Sequence, residues 1–489
     1  MSISLANTVE TRSSLRSLLP LCVGTAAFLF LVFVGDGSLQ DSDTFWQIKV
    51  GQWIIDNRAV PYSDLYSFTK FGAPWISTSW LSQVLYGSVH TQWGWAGPVL
   101  LASLAFAATL AIFFYLLSEY FEPAHCVFWA MLALTLSRPH FLTRPHVLAW
   151  PIMVARVGGM IAAADRRAPP SLLLLPLIAL WANLHGGFIL GLALIAPVAL
   201  VSIWETADSR VFLATRWGFF AICAVAASCC TPYGWNTFLG AATILDLGEV
   251  LTIVSEWRPA DFSSFGFFEA SLLSLIGLAF YWRIVLSPPR IMLLLGLIYM
   301  ALTHVRSIEA YAFLLPLILA KPLAVQFRLN YATSRTGDLF APPYIAIAAA
   351  IAIVSTAWAT TQSYLSHHEF VFVKSQVPAA AVEVLKQRKA ERIFNAYEFG
   401  GYLIGIGVPT FIDGRAELYG EKFAASYFDA IWARKIDNLL QLLDDYHIDA
   451  TLLAPKSPAA QVMDHIRGWK RLYVDETAVV HVRTSGADR

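Results

Sequence analysis

Long apolar stretches alternate with short polar ones from residue 19 to residue 361, and there the apolar stretches stop. Eleven runs stand out, near 19–35, 98–117, 124–137, 146–164, 171–184, 187–204, 213–230, 266–282, 290–303, 308–325 and 343–361. Most are roughly 14–20 residues, enough for helices that cross a hydrocarbon core about 30 Å thick with some tilt or shortening. The pattern predicts an α-helical polytopic membrane protein with about 11 transmembrane helices. Polar, structured-looking sequence follows the first run at once, with no small-residue cleavage site. That run therefore reads as a retained anchor.

Residues 362–489 have another rhythm. Val377 to Arg388 and Phe423 to Leu443 carry helical periodicity, and short apolar segments at 392–394, 408–412, 450–453, 471–474 and 479–482 read as strands. This predicts a small C-terminal α/β domain. Polar residues and glycines follow two of the strands, at 394–402 and 411–420, where binding loops commonly sit. Turn chemistry and a local Asp413–Arg415 pair explain part of that polarity. Asn395, Glu398, Glu417 and Tyr419 exceed what two turns need.

The charges between the runs orient the chain. Arg12 and Arg16 precede the first run and place the N-terminus in the cytoplasm by the positive-inside rule. Alternating from there, the cytoplasmic connections carry Arg166-Arg167, Arg210 with Arg216, Arg283 with Arg290, and Lys321, Arg328 and Arg335. The opposite face receives loop 36–95, the connections at 137–146, 183–187, 230–235, 255–259 and 304–309, and the tail. Most of the polar residues with chemical potential thus fall on one face.

Asp41 and Asp43 stand in loop 36–95, two carboxylates two residues apart at the edge of the first run. Thr44 and Gln47 read as a capping box. Phe45, Trp46, Val50, Trp53 and Ile54 then recur at helical spacing, which suits an aromatic amphipathic helix in the headgroup layer. A helix dipole accounts for one of the two carboxylates and poorly for both. Trp75 and Trp80 read as interfacial anchors.

Near the run ends on the same face lie His140, Arg144, His146, His185, His304, Arg306 and Glu309. Ionisable groups at membrane depth are costly and point to function, although snorkelling serves Arg138 and Arg144 nearly as well. Arginine forks suit phosphate oxygens. A carboxylate can take the proton of an attacking hydroxyl. The candidate site therefore has Asp43 as base, with Asp41 orienting it or sharing a metal. Arg144, His146, His185, His304, Arg306, Glu256 and Trp46 are the candidate substrate contacts.

Composition agrees with a membrane protein: 57% hydrophobic and 14% charged, with a net charge of zero that offers nothing to nucleic acid. The five cysteines sit in or beside apolar runs without zinc or disulfide spacing and read as small core residues.

The series Asp41-Ser42-Asp43, Trp46, Gly51-Gln52-Trp53-Ile54, Pro61, Asp64, Ser67, Trp75 and Trp80-Leu81 resembles the first loop of bacterial proteins of the GT-C glycosyltransferase superfamily. Asn183-Leu184-His185-Gly186-Gly187, Pro232-Tyr233-Gly234 and Glu256-Trp257 are similar to later blocks of one branch. So are Asn395, Gly400-Gly401-Tyr402, Asp413-Gly414-Arg415 and Tyr419-Gly420 in the tail. The resemblance implies an inverting transfer of sugar from a polyprenyl-phosphate donor to a glycan, lipid or protein acceptor, in a bacterial inner membrane, with the tail extracytoplasmic. It carries over to Asp41 and Asp43 as base or metal contact. Some relatives use a divalent cation, magnesium or manganese, and others none. The expected division is a transmembrane catalytic domain at 1–361 and an extracytoplasmic domain at 362–489. Two other readings fit the same substrates: a flippase of lipid-linked saccharides, which more often shows internal repeats and paired broken spans, and a non-catalytic assembly subunit.

Overall fold

The structure is a computed structural model that describes residues 13–245, 247–248, 257–329 and 340–484. Arg12, Ser255, Glu256 and Arg335 lie outside the described residues.

Each apolar run is helical. In chain order, after strand β1 (Ser13–Ser14), come α1 (Leu19–Phe33), α2 (Asp43–Asn57), α3 (Trp80–Trp93), α4 (Ala96–Leu117), α5 (Pro123–Ser137) and α6 (Pro145–Asp165). The chain continues through α7 (Leu175–Leu184), α8 (Phe188–Ala193), α9 (Ile195–Trp204), α10 (Arg210–Ser228), α11 (Asn236–Leu245), α12 (Phe267–Tyr281), α13 (Pro288–Thr303) and α14 (Ile308–Gln326). Strand β2 (Phe340–Ala341) pairs with β1, and α15 (Pro343–Leu365) leads into the tail. Proline occupies the first position of α5, α6, α13 and α15. There its missing N–H costs nothing and its fixed φ suits the first turn.

Among the described residues, five helical stretches are long and apolar enough to cross a membrane: 96–117, 145–165, 210–228, 305–326 and 343–365. The remaining runs form shorter helices, below the roughly 20 residues of a full crossing, and the run at 187–204 is divided at Leu194. The core of the bundle is aromatic: Phe106, Phe113, Trp150 and Phe313 meet where α4, α6 and α14 pack. Burial falls off sharply towards α15, where only 11% of the apolar window is covered, against 72% in α6 and α14.

At the end of the bundle away from the tail, Arg290 is the centre of a buried network. Its Nε donates to Glu205 at 2.7 Å, its Nη1 to the Ile318 carbonyl at 3.0 Å, and its Nη2 meets Asp165. Tyr120 donates to Asp165 at 3.0 Å and Ser287 to Glu205 at 2.7 Å. A charge read as topogenic is thus also a clamp joining α6, α9, α13 and α14.

The tail forms α16 (Ala379–Gln387), β3 (Ile393–Asn395), α17 (Gly400–Gly405), α18 (Ala416–Ile431), α19 (Ile436–Asp445), β4 (Ala450–Leu453), α20 (Pro458–Met463), β5 (Trp469–Val474) and β6 (Val479–Arg483). The sheet order is β3-β4-β6-β5, with β3 parallel to β4 and the other pairs antiparallel. One face packs on α16 through Ala381, Val382 and Leu385, and the other on α18–α20 through Tyr427, Leu439 and Met463. Covering both faces explains why β3 and β4 are buried at every position.

Two expected tail elements differ. The helical period over 423–443 is split between α18 and α19, with Ala433 at φ +50° in the turn. The apolar segment 408–412 is no strand of the sheet. It runs beside the first loop instead: Phe68 N–H donates to the Thr410 carbonyl at 3.0 Å, and Thr410 N–H to the Tyr66 carbonyl at 3.1 Å.

That junction is locked by Arg415, which is 1% exposed. Its Nη1 reaches Asp64 at 2.6 Å, while Nε and Nη2 fork onto Asp413 at 2.8 and 2.7 Å. Trp75 covers the guanidinium at 4.8 Å and Tyr66 lies 5.4 Å from it. Burial would raise the Asp413 carboxyl, but Arg415 and the Tyr419 hydroxyl outweigh it and hold it below the usual range. The local Asp413–Arg415 pair is therefore real, and half of a larger clasp across the chain. Asp64→Ala would leave a buried guanidinium with one counter-charge. A loss of about 3–5 kcal/mol is expected, read as a lower thermal midpoint and faster tryptic cleavage near residue 410; a midpoint unchanged from wild type would show that the clasp does not hold the tail.

Candidate functional site at the bundle–tail junction

The segment entering α2 is held before its carboxylates are placed. Thr143 donates to the Ser38 carbonyl from both its N–H, at 3.1 Å, and its hydroxyl, at 3.2 Å, and the Thr44 hydroxyl donates to the Thr143 carbonyl at 3.2 Å. This lays the 36–44 strand of chain beside the start of α6. Arg144 is the extended residue before Pro145, and the Tyr86 hydroxyl donates to its carbonyl at 3.1 Å.

The Arg144 side chain then spans both aspartates. Its Nη2 lies 2.5 Å from Asp43 Oδ2 and its Nη1 3.1 Å from Asp41 Oδ2. Asp41 Oδ1 also accepts the backbone N–H of Asp43 at 2.9 Å. Side-chain exposures of 15% for Asp43, 24% for Asp41 and 16% for Arg144 put the three in a sheltered cleft that still reaches solvent. Burial pushes the Asp43 carboxyl up to about 7; Asp41 adds to the rise, and Arg144 and the neighbouring Trp46 indole work against it. A carboxyl held there can exchange a proton near neutral pH.

The expected capping box is replaced. Ser42 rather than Thr44 precedes α2, and Gln47 accepts from Gln83 Nε2 at 2.8 Å instead of reaching back. Asp41 does the local capping. The aromatic face of α2 also meets protein: Trp46 is 7% exposed and packs edge-on against Trp75, and Phe45 packs against Trp95, Phe372 and Tyr402. Trp75 is likewise not an interfacial anchor. Trp75 is buried over Arg415 with its indole N–H on Glu417 at 3.2 Å, and Trp80 donates to Asn183 at 2.8 Å. A sequence rich in tryptophan at a run edge looks interfacial; here the tail covers that edge.

The tail forms the roof. A Cβ on Gly414 would overlap the Asp43 carboxylate, and one on Gly401 would collide with the Ser42 backbone. The Ser42 hydroxyl donates to the Glu398 carbonyl at 2.5 Å. Tyr397 and Glu417 project into the same region, close enough for Asp43 and Glu417 both to raise the Tyr397 phenol, after burial as the largest cause. Burial also pushes Glu417 up. Neither was singled out as a site residue from the sequence. The signal that could have found them is a glycine within each motif, Gly401 and Gly414, which lets the tail backbone touch the first loop.

The floor combines two guanidiniums, Arg144 and Arg306, with two imidazoles; burial, Arg306 and Arg144 push the His185 ring down to about 3, which keeps it neutral. His146 follows Arg144 by two residues, its Nε2 2.9 Å from the His140 carbonyl, and its ring lies 6.2 Å from that of His185. His185 follows α7, whose Asn183 is fixed by Trp80 and by the Cys230 carbonyl at 2.9 Å. Arg306 stacks on Trp257 at 4.5 Å and lies within electrostatic reach of Arg144, His146 and His185. His304 is on the far side of Trp257's ring, beside Arg306. Glu309 does not frame Arg306 alone; it pairs with His140 at 3.2 Å. Asp41, Asp43, Trp46, Arg144, His146, His185 and Arg306 are thus brought together, with His304 at the margin. Glu256 lies outside the described residues.

A divalent cation at this site would find the two aspartates as ligands, with Arg144 already between them. Among the described residues no group of three or more His, Cys, Asp or Glu could hold a metal ion. The described donors do not make a closed cation site.

No known sequence family matches the chain, and no curated protein does. Among solved structures, the archaeal oligosaccharyltransferase AglB from Archaeoglobus fulgidus, in complex with an inhibitory peptide and a dolichol-phosphate, is similar with a TM-score of 0.53 at 10% identity, covering 97% of this chain and 75% of that one. At that identity the likeness is one of fold. The apo form of the Archaeoglobus fulgidus oligosaccharyltransferase gives a TM-score of 0.49 at 12% identity over 89% of this chain and 69% of its own. The likeness to the first of these covers both bundle and tail.

The charge balance around Asp43 can be tested directly. Arg144→Gln removes the cation that opposes burial and Asp41, so the Asp43 carboxyl should rise above its value of about 7. The carboxyl stretch followed by infrared pH titration, with Asp43→Asn as the assignment control, should move to higher pH; an unmoved titration would show that Arg144 does not set it.

Proposed function

We propose that the protein is a membrane glycosyltransferase that moves a sugar from a polyprenyl-phosphate-linked donor to an acceptor on the tail side, with inversion. The observation that carries this reading is the facing of a sheltered carboxylate pair by a floor of Arg144, His146, His185 and Arg306 under one roof. A carboxyl near neutrality takes a proton. The Arg144 and Arg306 guanidiniums receive the negative charge of a departing lipid phosphate, and neutral His185 donates a hydrogen bond to it. Either half alone has blander explanations; together they match a displacement at a sugar C1.

In the proposed step the acceptor attacks the anomeric carbon from the side of the aspartates. The new bond forms as the bond from C1 to the phosphate oxygen breaks. The acceptor proton passes to Asp43, and the electron pair leaves with the lipid phosphate, where Arg306 and His185 stabilise it. Asp41 keeps Asp43 oriented through the Asp43 N–H and shares Arg144 with it. The acceptor is a glycan, lipid or protein. That the similar oligosaccharyltransferase was solved with a dolichol-phosphate and an inhibitory peptide supports a lipid-borne donor and a separate acceptor. About 11 crossings, a cytoplasmic N-terminus, and a bacterial inner membrane with the 362–489 domain outside complete the reading.

Asp43→Asn should lower consumption of a polyprenyl-phosphate sugar by about 10²–10⁴-fold, the range for loss of a positioned base. Full activity in both Asp43→Asn and Asp41→Asn would sink the catalytic reading. Unimpaired movement of the lipid-linked sugar across vesicles by inactive Asp43→Asn, with no transfer by wild type, would favour a flippase. Because Asp43 acts unprotonated, the wild-type rate should climb as pH rises through about 7 and be lost below it. A rate flat from pH 5.5 to 8.5 would remove Asp43 as the base.

A further inference from the structure

The two imidazoles of the floor, His146 and His185, have ring centroids 6.2 Å apart. Each has one nitrogen engaged by backbone, and the two are engaged in opposite senses. At His185, which is extended after α7, the Gly187 N–H donates to Nδ1 at 3.0 Å. That nitrogen therefore holds its lone pair, and the ring proton sits on Nε2. A Cβ on Gly187 would come within 2.9 Å of Nδ1, so glycine is what lets this amide meet the ring undisturbed. At His146 the partner is a carbonyl, which only accepts. Its Nε2–H donates to the His140 carbonyl at 2.9 Å, and Nδ1 keeps the lone pair.

Both rings are thus the same tautomer, yet they offer opposite chemistry. His185 is left with a donor, Nε2–H, and His146 with an acceptor, Nδ1; neither atom has a partner among the described residues. A donor suits an ionised phosphate oxygen, which only accepts. The same oxygen set against the His146 lone pair would be repelled. What His146 can take is a donor group, and a sugar phosphate carries its nearest one on C2, because the other neighbour of C1 is the ring oxygen.

We propose that the two imidazoles divide the sugar donor between them: His185 Nε2–H binds an oxygen of the lipid phosphate, and His146 Nδ1 accepts a hydrogen bond from the hydroxyl or acetamido N–H on C2 of the sugar. Gly187 is the positioning residue that fixes the His185 tautomer. The division rests on the sugar-transfer reading for what occupies the floor. It makes His146 a specificity residue, because a sugar without a donor on C2 leaves its nitrogen unpaired.

The test is a crossed rescue. Binding of farnesyl phosphate, its glucosyl ester and its 2-deoxyglucosyl ester is measured on protein in nanodiscs. The terminal amide of glutamine reaches the place of Nε2, and the carbonyl of asparagine that of Nδ1. His185→Asn should weaken all three probes about tenfold, roughly 1.4 kcal/mol, while His185→Gln retains them. His146→Gln should weaken the glucosyl ester to the level of the 2-deoxy ester and spare farnesyl phosphate, while His146→Asn keeps the preference. Should the variants not fold, nitrogen-15 solid-state NMR of the wild type decides, with a protonated Nε2 and a bare Nδ1 expected in both rings. Gly187→Ala should disturb the His185 signals and leave those of His146. A proton on Nδ1 of either ring, the same order of Gln and Asn at both positions, or equal wild-type affinity for the glucosyl and 2-deoxy esters would overturn the proposal. With a wild type that binds the probes, such a result removes the division alone; a wild type that binds none of them removes the sugar-transfer reading as well.

Discussion

One fully buried guanidinium settles where the tail sits. Arg415 cannot be left unpaired inside protein, because an isolated buried charge costs several kcal/mol. Its two counter-charges come from different parts of the chain: Asp413 from the tail and Asp64 from the first loop. Satisfying all three groups therefore requires the tail to close on the loop in one register. Trp75 and Tyr66 exclude water around them, which strengthens the pairing. The consequence reaches the candidate site through one residue: Gly414 lies between Asp413 and Arg415, and its missing side chain is the space taken by Asp43.

The site's electrostatics follow from that closure. With the tail in place, Asp43 loses most of its water, and desolvation becomes the largest influence on its carboxyl. Asp41 presses the same way. Arg144 opposes both but is divided between two carboxylates, so it does not restore an ordinary acid. Arg415 meets two carboxylates as well, with the opposite result: it forks onto Asp413 with two donors, and Tyr419 adds a third at 2.6 Å. The two Asp–Arg–Asp arrangements differ in how many donors each carboxylate receives. One is a clasp, and the other is left free to exchange a proton.

The sequence reading held best where physics is local. Apolar period alone located the bundle helices, with proline marking several starts, and four of the five expected tail strands fall on β3, β4, β5 and β6. The collection of Asp41, Asp43, Arg144, His146, His185 and Arg306 on one end was legible from loop alternation. What failed is tertiary. Residues 408–412 are as apolar as a strand, yet their partner is the first loop, and no local pattern announces a partner some 340 residues away. Thr44 and Gln47 have capping-box spacing, but Thr143 and Gln83 compete for their side chains and win. Trp75 looks interfacial because the roof that buries it is encoded more than 300 residues later. Asp64 stands in the first-loop series without a role of its own; only Arg415 reveals why an acid is needed there.

The two ends of the bundle are fastened differently, and this bears on where the molecule can yield. Away from the tail, Arg290 ties α6, α9, α13 and α14 with direct ion pairs and carbonyl contacts, all buried. At the tail end, the fastening passes through loops: Ser38 and Thr143 on one side, the Arg415 clasp on the other. α15 belongs to neither network. It is joined to the bundle by apolar contacts with α1, of the kind that lipid matches nearly as well, because hydrocarbon gives no hydrophobic drive for one helix to prefer another. The tail's position is therefore fixed from above by charge and left weakly constrained from below. A change in the surrounding membrane would act on α15 first, and would reach Asp43 only by loosening a roof that Arg415 holds shut.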